Sequence, residues 1–230
     1  MPGQTELHDF PSGNSAFLDS ERLSPLNGDS RIFIAVDPGT AARVAGGVWR
    51  VEITAARVRS GRFDAWIERD ARDPANAFAD QSFFVGSDFD PVMTLGTPAT
   101  SRRGISVANY DHVTVAPSSS SSRGRTRDGR DKPEVAAPGT GIVSSASLGG
   151  RPDGLGGVRP VRTEMSGTSM AAPHVSGIVA LLLQLDPTLS AAQLRKALLA
   201  SANPPDGVVP FDAAWGYGRV DAVEAARLLG

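Results

Sequence analysis

The sequence of 230 residues contains no cysteine, and its charge is nearly balanced, with 23 Lys and Arg against 25 Asp and Glu. The lack of cysteine excludes disulfides, thiolate catalysis and cysteine-ligated metal sites. The balanced charge gives no electrostatic reason to expect nucleic acid or an anionic membrane as a partner. Because no spacing of His, Asp and Glu typical of metal ligands is recognisable, no metal site and no cofactor is predicted.

Long hydrophobic runs are missing as well. The longest, residues 177–183, is far too short to span a bilayer, so no membrane partner is predicted. Residues 1–20 are polar and lack a basic start followed by an apolar core, so no signal peptide is read there. Hydrophobic residues nevertheless make up 40% of the chain and charged residues 21%, which predicts a globular protein with a substantial core.

The first 90 residues have the pattern of β-structure. Residues 31–36 form a nearly continuous apolar run, whereas residues 47–54 and 63–69 alternate between apolar and polar positions. Turn residues such as Asp37-Pro38-Gly39 separate these runs. Short strands at this spacing predict a β-rich, sandwich-like module over residues 1–90, to which the segment before residue 31 adds little pattern.

From residue 91 onward the pattern changes to α/β. Strands are predicted at residues 104–108, 133–137 and 142–146. A long apolar helix is predicted at residues 169–185, ended by Asp186-Pro187. Ser190 begins a capping box that opens a helix through about residue 202, and Asp221 starts a last helix that runs to the C-terminus. Residues 91–230 are therefore predicted to form an α/β domain.

One segment has the features of a catalytic site. Ser169 lies at the start of the long apolar helix, beside free backbone N–H groups and the positive end of the helix dipole. A serine there has an accessible hydroxyl, and its own N–H can donate to an oxyanion developing on a substrate carbonyl. Gly167 would let a substrate backbone approach closely. Serine is also a common helix cap, so these features alone leave a capping role as an equal alternative.

The literal string around this serine narrows the choice. Gly167-Thr-Ser-Met-Ala-Ala-Pro-His174 resembles the nucleophile motif of the subtilisin-like serine proteases, the subtilases. It differs from the G-x-S-x-G elbow of α/β-hydrolases, because Ala171 occupies the position two after the serine. The motif is one of the more specific short motifs known for any protease.

The resemblance extends beyond the motif. Residues 122–139 resemble the family's strand-loop-strand before the serine helix, although Arg125 stands where the family usually has proline. Residues 215–222 resemble its closing segment. Residues 92–230 thus resemble a subtilase catalytic domain from its middle to its end, and residues 25–69 resemble a β-rich insertion of a bacterial subset.

The resemblance implies an α/β fold, an incomplete subtilisin-like three-layer domain around a parallel sheet, preceded by the β-rich insertion. It implies a serine endopeptidase acting on a peptide or protein, with Ser169 as the catalytic nucleophile and Gly167 and Thr168 binding the substrate. In family order the Asp and His of the triad and an oxyanion-hole Asn precede the insertion, so they are expected before Met1. The chain alone is therefore predicted to be inactive. The family is habitually secreted, but this chain shows no export signal, so its location stays open.

None of the three histidines is a credible general base. His174 lies on the same predicted helix as Ser169, about 140° around its axis. His112 follows Asp111 in a predicted loop, where the pair only superficially resembles a catalytic dyad. His8 lies in a terminus that is expected to be frayed.

Two other groups have ordinary structural interpretations. Trp49 and Trp66 are expected to pack in the core or on a sheet face rather than to bind carbohydrate. The serine-rich loop at residues 118–130 contains four arginines, Arg123, Arg125, Arg127 and Arg130. They are balanced by Asp128, Asp131 and Glu134, which predicts a solvated loop rather than a phosphate site.

Two further hypotheses stay open. In the first, the chain is a non-catalytic binding or assembly module that keeps the serine helix only as scaffold. Against it, a subtilase sheet cut through its middle leaves unpaired strand edges and bare apolar faces, which predicts aggregation. In the second, the missing N-terminal half of the catalytic domain is supplied by a separate polypeptide.

Overall fold

The computed structural model divides the chain into two compact units, Met1–Ala65 and Trp66–Gly230. The structure describes residues 3–25, 28–54, 61, 63–68, 82–87, 89–146, 151–152, 158–159, 162–205 and 210–230. Residues 69–81 of the expected β-rich module lie outside the described residues. The expected division of the chain at residue 90 stays a prediction.

The first unit contains a three-stranded antiparallel sheet in the order β1-β2-β3. Its strands are β1 (Thr5–Asp9), β2 (Ser15–Glu21) and β3 (Arg31–Asp37). Asn14, just before β2, is buried and holds the adjoining turns together. Its Nδ2 donates to the carbonyls of Pro38 and Arg43, and its Oδ1 accepts from the Ala45 N–H.

The sequence predictions for this unit are confirmed only in part. The strand predicted at residues 31–36 is present as β3. Residues 47–54 and the described part of 63–69 are not in regular strands, so the strands predicted there are wrong. Their alternation fits a pleated strand, but a strand also needs a hydrogen-bonding neighbour, which a local pattern does not provide.

The two strands before residue 31 escaped sequence analysis. All five residues of β1 are exposed, and Leu7 is its one large apolar residue. The sequence of this strand therefore shows no alternation of apolar and polar residues from which it could be predicted. His8, expected in a frayed terminus, instead pairs with Ala16 of β2 and packs edge-on against Phe10, with ring centroids 4.8 Å apart. Trp49 also packs edge-on against Phe10, with ring centroids 5.2 Å apart.

The second unit is a mixed α/β structure with small sheets and, within the described residues, three helices. Its strands are β4 (Val107–Asp111), β5 (Ala116–Pro117), β6 (Val135–Pro138), β7 (Ile142–Ser145), β8 (Arg151–Pro152), β9 (Val158–Arg159) and β10 (Arg162–Met165). Its helices are α1 (Thr168–Leu185), α2 (Ala191–Ala200) and α3 (Ala222–Arg227). Strand β4 pairs parallel with β6 and antiparallel with β5, while β7 pairs antiparallel with β10 and β8 with β9.

The helix boundaries confirm the local signals in the sequence. Asp186 ends α1 with extended backbone before Pro187. Ser190 and Gln193 form the reciprocal capping box that opens α2. Asp221 caps α3, its carboxylate accepting from the second and third N–H groups of the helix.

Strand β4 is displaced from its predicted position at residues 104–108. It begins at Val107 and runs to Asp111, so Asn109, which follows the end of the predicted strand, lies in the middle of the observed strand. Asn109 is fully buried beside Ala137 of β6. A polar residue in an otherwise apolar run imitates a loop signal, and only the neighbouring strand reveals the true register.

The core lies where α1 covers the parallel pair of β4 and β6. Val135 and Ala137 of β6 are completely buried, as is typical of a parallel strand covered by helices. The helices complete the cluster with Ala171, Val175 and Leu182 of α1, Leu194 and Leu198 of α2 and Ala225 of α3. By length and composition alone, α1 is the one helix in the described residues that could cross a membrane; a single such helix is weak evidence of a membrane span.

A buried charge cluster joins the sheet to α2. Glu134 is completely buried and Lys132 is 2% exposed. The Lys132 ammonium donates to both carboxylate oxygens of Glu134 at 2.8 and 3.1 Å, and Arg195 of α2 donates to the same carboxylate at 2.9 Å. The Ser106 N–H adds a fourth bond at 2.7 Å. Four hydrogen bonds from three donor groups offset the cost of removing this carboxylate from water.

This cluster corrects the expectation that Glu134 balances the arginine-rich loop at the surface. The loop uses two other acids: Arg130 pairs with Asp128 at 2.8 Å and Arg125 with Asp131 at 2.7 Å. Hydrogen bonds from Arg130 and Thr126 lower the pKa of Asp128 to about 2. Glu134 is instead part of the core, because β6 carries it beneath α2.

Replacement of Glu134 by glutamine is expected to lower the free energy of unfolding by about 3–5 kcal/mol, because Lys132 would keep a buried charge without its partner. Urea unfolding followed by circular dichroism measures the change. The control is Glu224→Gln, which removes an exposed ion pair with Arg227 and should stay close to the parent chain. Equal, small effects of the two substitutions would contradict the prediction.

Candidate active site

Ser169 is the second residue of α1 and is exposed. Within the described residues, neither its hydroxyl nor its backbone N–H is in a hydrogen bond. The first N–H groups of a helix have no partner inside the helix and form the positive end of its dipole. The residue therefore presents a free hydroxyl and a free N–H side by side at the surface.

Gly167 sets the start of this helix. Its φ of 147° lies in the region that favours glycine, and it is the N-cap of α1. Its carbonyl accepts from the N–H groups of Met170 at 2.9 Å and Ala171 at 3.3 Å. A side chain at position 167 would begin 3.9 Å from the Ser169 nitrogen, beside the free N–H. This is an ordinary contact distance, so the positive φ rather than a lack of space favours glycine at this position, and Thr168 is the first helical residue.

The segment after β6 holds the chain that leads into the helix. The Gly167 N–H donates to the Gly139 carbonyl at 2.7 Å, and the Gly141 N–H donates to the Ser166 hydroxyl at 2.9 Å. Two consecutive residues before the candidate nucleophile are therefore tied to the turn between β6 and β7. This turn lies at the carboxyl end of the buried parallel pair of β4 and β6.

The structure places none of the histidines in contact with Ser169 within the described residues. His174 lies on the same helix, is exposed and bonds through Nδ1 to the Met170 carbonyl at 2.9 Å. His112 follows β4, next to Asp111. That carboxylate caps its own turn by accepting from the N–H groups of Val113 and Thr114, and chiefly the Val113 bond lowers its pKa.

The structure adds two residues to those predicted around Ser169. Gly139 supplies the carbonyl that binds Gly167, and the buried Asn109 side chain lies against it. The turn after β6 was recognisable, since Pro138-Gly139 follows an apolar run. Asn109 gave no signal of its own, because it is brought close to Gly139 by the pairing of β4 with β6, in which Asn109 lies opposite Ala137, rather than by a local motif.

The described residues contain no group of three or more His, Cys, Asp or Glu side chains that could hold a metal ion.

Comparison with known proteins identifies the class. Residues 76–218, more than half of the chain, match the Subtilase family. The chain belongs to this family of serine endopeptidases, which hydrolyse peptide bonds.

Particular relatives show how much of the chain is shared. Serine protease AprX of Bacillus subtilis is 38% identical over 114 residues, a match that covers 46% of this chain and 26% of AprX. Subtilisin-like protease SBT3.16 of Arabidopsis thaliana is 45% identical over 109 residues, covering 41% of this chain and 13% of that protein. The matches thus span about a quarter or less of these relatives.

A solved structure supports the fold. The CspB protease of Clostridium perfringens superimposes on this chain with a TM-score of 0.67, covering 100% of this chain and 46% of CspB at 23% sequence identity. The mixed α/β architecture described above therefore corresponds to part of a subtilase fold.

The space beside Gly139 gives a test of the site's packing. A methyl group there would begin 2.7 Å from the Gly167 carbonyl oxygen and 2.7 Å from Asn109 Cγ. Gly139→Ala is therefore expected to lower the free energy of unfolding by about 1–3 kcal/mol.

Gly177→Ala is the matched control for this substitution. Position 177 is in α1 and has no atom within 4 Å of the added methyl group. The control should be neutral or more stable by up to about 1 kcal/mol, because alanine favours helix. Chemical unfolding of both variants measures the difference, and a neutral Gly139→Ala would show that the contact does not constrain the turn.

Proposed function

We propose that this chain is the C-terminal, serine-bearing half of the catalytic domain of a subtilisin-type serine endopeptidase, with Ser169 as its nucleophile. The observation that carries the proposal is the free hydroxyl and N–H of Ser169 at the start of α1, within a family motif. In this proposal residues 91–230 are part of a three-layer parallel-sheet domain and residues 1–90 are a β-rich insertion. The substrate is a peptide or protein.

The geometry supports a defined division of roles. The Ser169 hydroxyl oxygen attacks the carbonyl carbon of the peptide bond, and its proton passes to a general base. The Ser169 N–H donates to the oxygen that becomes negatively charged, where the helix dipole adds to the stabilisation. Gly167 and Thr168 lie beside the substrate backbone. The leaving amine then takes the proton, and water hydrolyses the acyl-enzyme.

We propose that the general base comes from outside the described residues. His174 points its Nδ1 at its own helix, and His112 lies beside a carboxylate that is already used in a turn. We therefore propose that segments bearing the Asp and His of the triad come from another part of the fold. The CspB superposition supports this, because the chain corresponds to 46% of that structure.

Labelling with a fluorophosphonate probe tests the proposal. The 230-residue chain, shown to be folded, should not be labelled, because a neutral serine hydroxyl without a base is a weak nucleophile. A polypeptide in which subtilase Asp and His segments accompany this chain should be labelled, and Ser169→Ala should abolish the labelling.

Ser176→Ala is the matched control, since Ser176 is an exposed serine on the same helix whose hydroxyl bonds to the Ala172 carbonyl. It should leave labelling of the longer polypeptide unchanged. Labelling that survives Ser169→Ala would overturn the assignment of the nucleophile. Labelling of the 230-residue chain itself, abolished by Ser169→Ala, would show that the base lies within it.

A further inference from the structure

Asn109 is a buried polar residue that the proposed chemistry does not use. It lies in the middle of β4, opposite Ala137 of β6, and is completely buried. Its backbone is satisfied, because its N–H donates to the Ser121 hydroxyl and its carbonyl accepts from the Ser118 N–H, both at 3.0 Å. Its neighbours along the two strands are apolar or small, so an apolar side chain would suit the position.

The side chain of Asn109 is only partly satisfied. Its Oδ1 accepts from the Thr140 hydroxyl at 3.4 Å, and its Nδ2 has no acceptor among the described residues. A buried polar group without a partner is unfavourable for folding. Stability therefore gives no reason for a carboxamide here, and residues that break a local rule of this kind are expected at functional sites.

The carboxamide lies at the start of the serine helix. Two groups, the Asn109 side chain and the Gly167 carbonyl oxygen, lie close to the place where a side chain of residue 139 would begin. A methyl group placed there would lie 2.7 Å from Asn109 Cγ and 2.7 Å from that oxygen. Asn109, Gly139 and Gly167 are therefore in close packing, with no room for an intervening side chain.

The Gly167 peptide controls the position of Ser169. Its N–H is tied to Gly139, and its carbonyl accepts from Met170 and Ala171 across the serine. A shift of this peptide would change the direction of the first turn and carry the Ser169 hydroxyl and N–H with it. A displacement of about 1 Å at a reacting group costs about 100-fold in rate.

We propose that Asn109 is a positioning residue for Ser169. Its carboxamide, held by Thr140 and packed against Gly139, supports the Gly167 peptide from which α1 begins. The inference rests on the proposed function for its kinetic consequence, but the structural part, that Asn109 orders residues 166–171, does not require catalysis.

Hydrogen exchange on the 230-residue chain tests the structural part. Asn109→Ala should accelerate exchange of the hydrogen-bonded amides of this segment, those of Gly167, Met170 and Ala171, while the amides of β6 and α2 keep their protection. Ser121→Ala is the control, because it removes the partner of the Asn109 backbone and leaves the carboxamide in place. Unchanged exchange in residues 166–171, or equal acceleration throughout both variants, would overturn the proposal.

Kinetics on a polypeptide that carries the Asp and His segments tests the consequence for catalysis. Asn109→Ala should lower kcat by about 10- to 100-fold with KM unchanged, and Thr140→Val should lower kcat less. Ser121→Ala should leave kcat unchanged, because it keeps the Asn109 carboxamide. If kcat fell only through a general loss of stability, both substitutions would lower it. Absence of any Ser169-dependent activity in the parent polypeptide would refute the proposed function, whereas normal kcat in folded Asn109→Ala would refute the positioning role alone.

Discussion

The hydrogen bond between the Gly167 N–H and the Gly139 carbonyl, 2.7 Å long, is the contact on which the candidate site depends. It joins the carboxyl end of a buried parallel strand to the first turn of α1. Because the strand is held by pairing with β4 and by the core, the position of the helix start is set by the buried part of the unit. The side chain of Ser169 is thereby exposed while the backbone before it is held by hydrogen bonds, as preorganisation of the proposed nucleophile requires.

Glycine is needed at both ends of this contact for different reasons. At Gly167 the backbone has φ of 147°, which side chains disfavour. At Gly139 the constraint is space, because Asn109 and the Gly167 carbonyl occupy the place where a side chain would begin. Backbone conformation and close packing thus act together within a few residues of Ser169.

The charge cluster around Glu134 extends this support to the helical layer. Glu134 lies immediately before β6, and its carboxylate accepts from Lys132, from Ser106 and from Arg195 of α2. A buried charge with this many donors links strand and helix through directional bonds, whereas apolar contacts alone tolerate sliding. The same strand therefore anchors α2 at one end and the serine helix at the other.

Much of the helical part was predictable from the sequence, because its signals are local. The Ser190 capping box, the Asp221 cap and the proline after Asp186 each act within one turn. The subtilase motif is also local, so Ser169, Gly167 and Thr168 could be proposed from the string alone. The strands predicted from the alternating runs at residues 47–54 and 63–69 were wrong because a strand depends on a non-local partner. It forms only where another strand pairs with it.

The sequence by itself thus determined the family, the helices and the candidate nucleophile. Only the tertiary structure decided that Glu134 belongs to the core and that Asn109 lies beneath the turn before Ser169. Both results come from the parallel pairing of β4 with β6, which brings together residues distant in the chain. Such pairing depends on the packing of whole elements rather than on any local pattern, so it could not be predicted from a local motif.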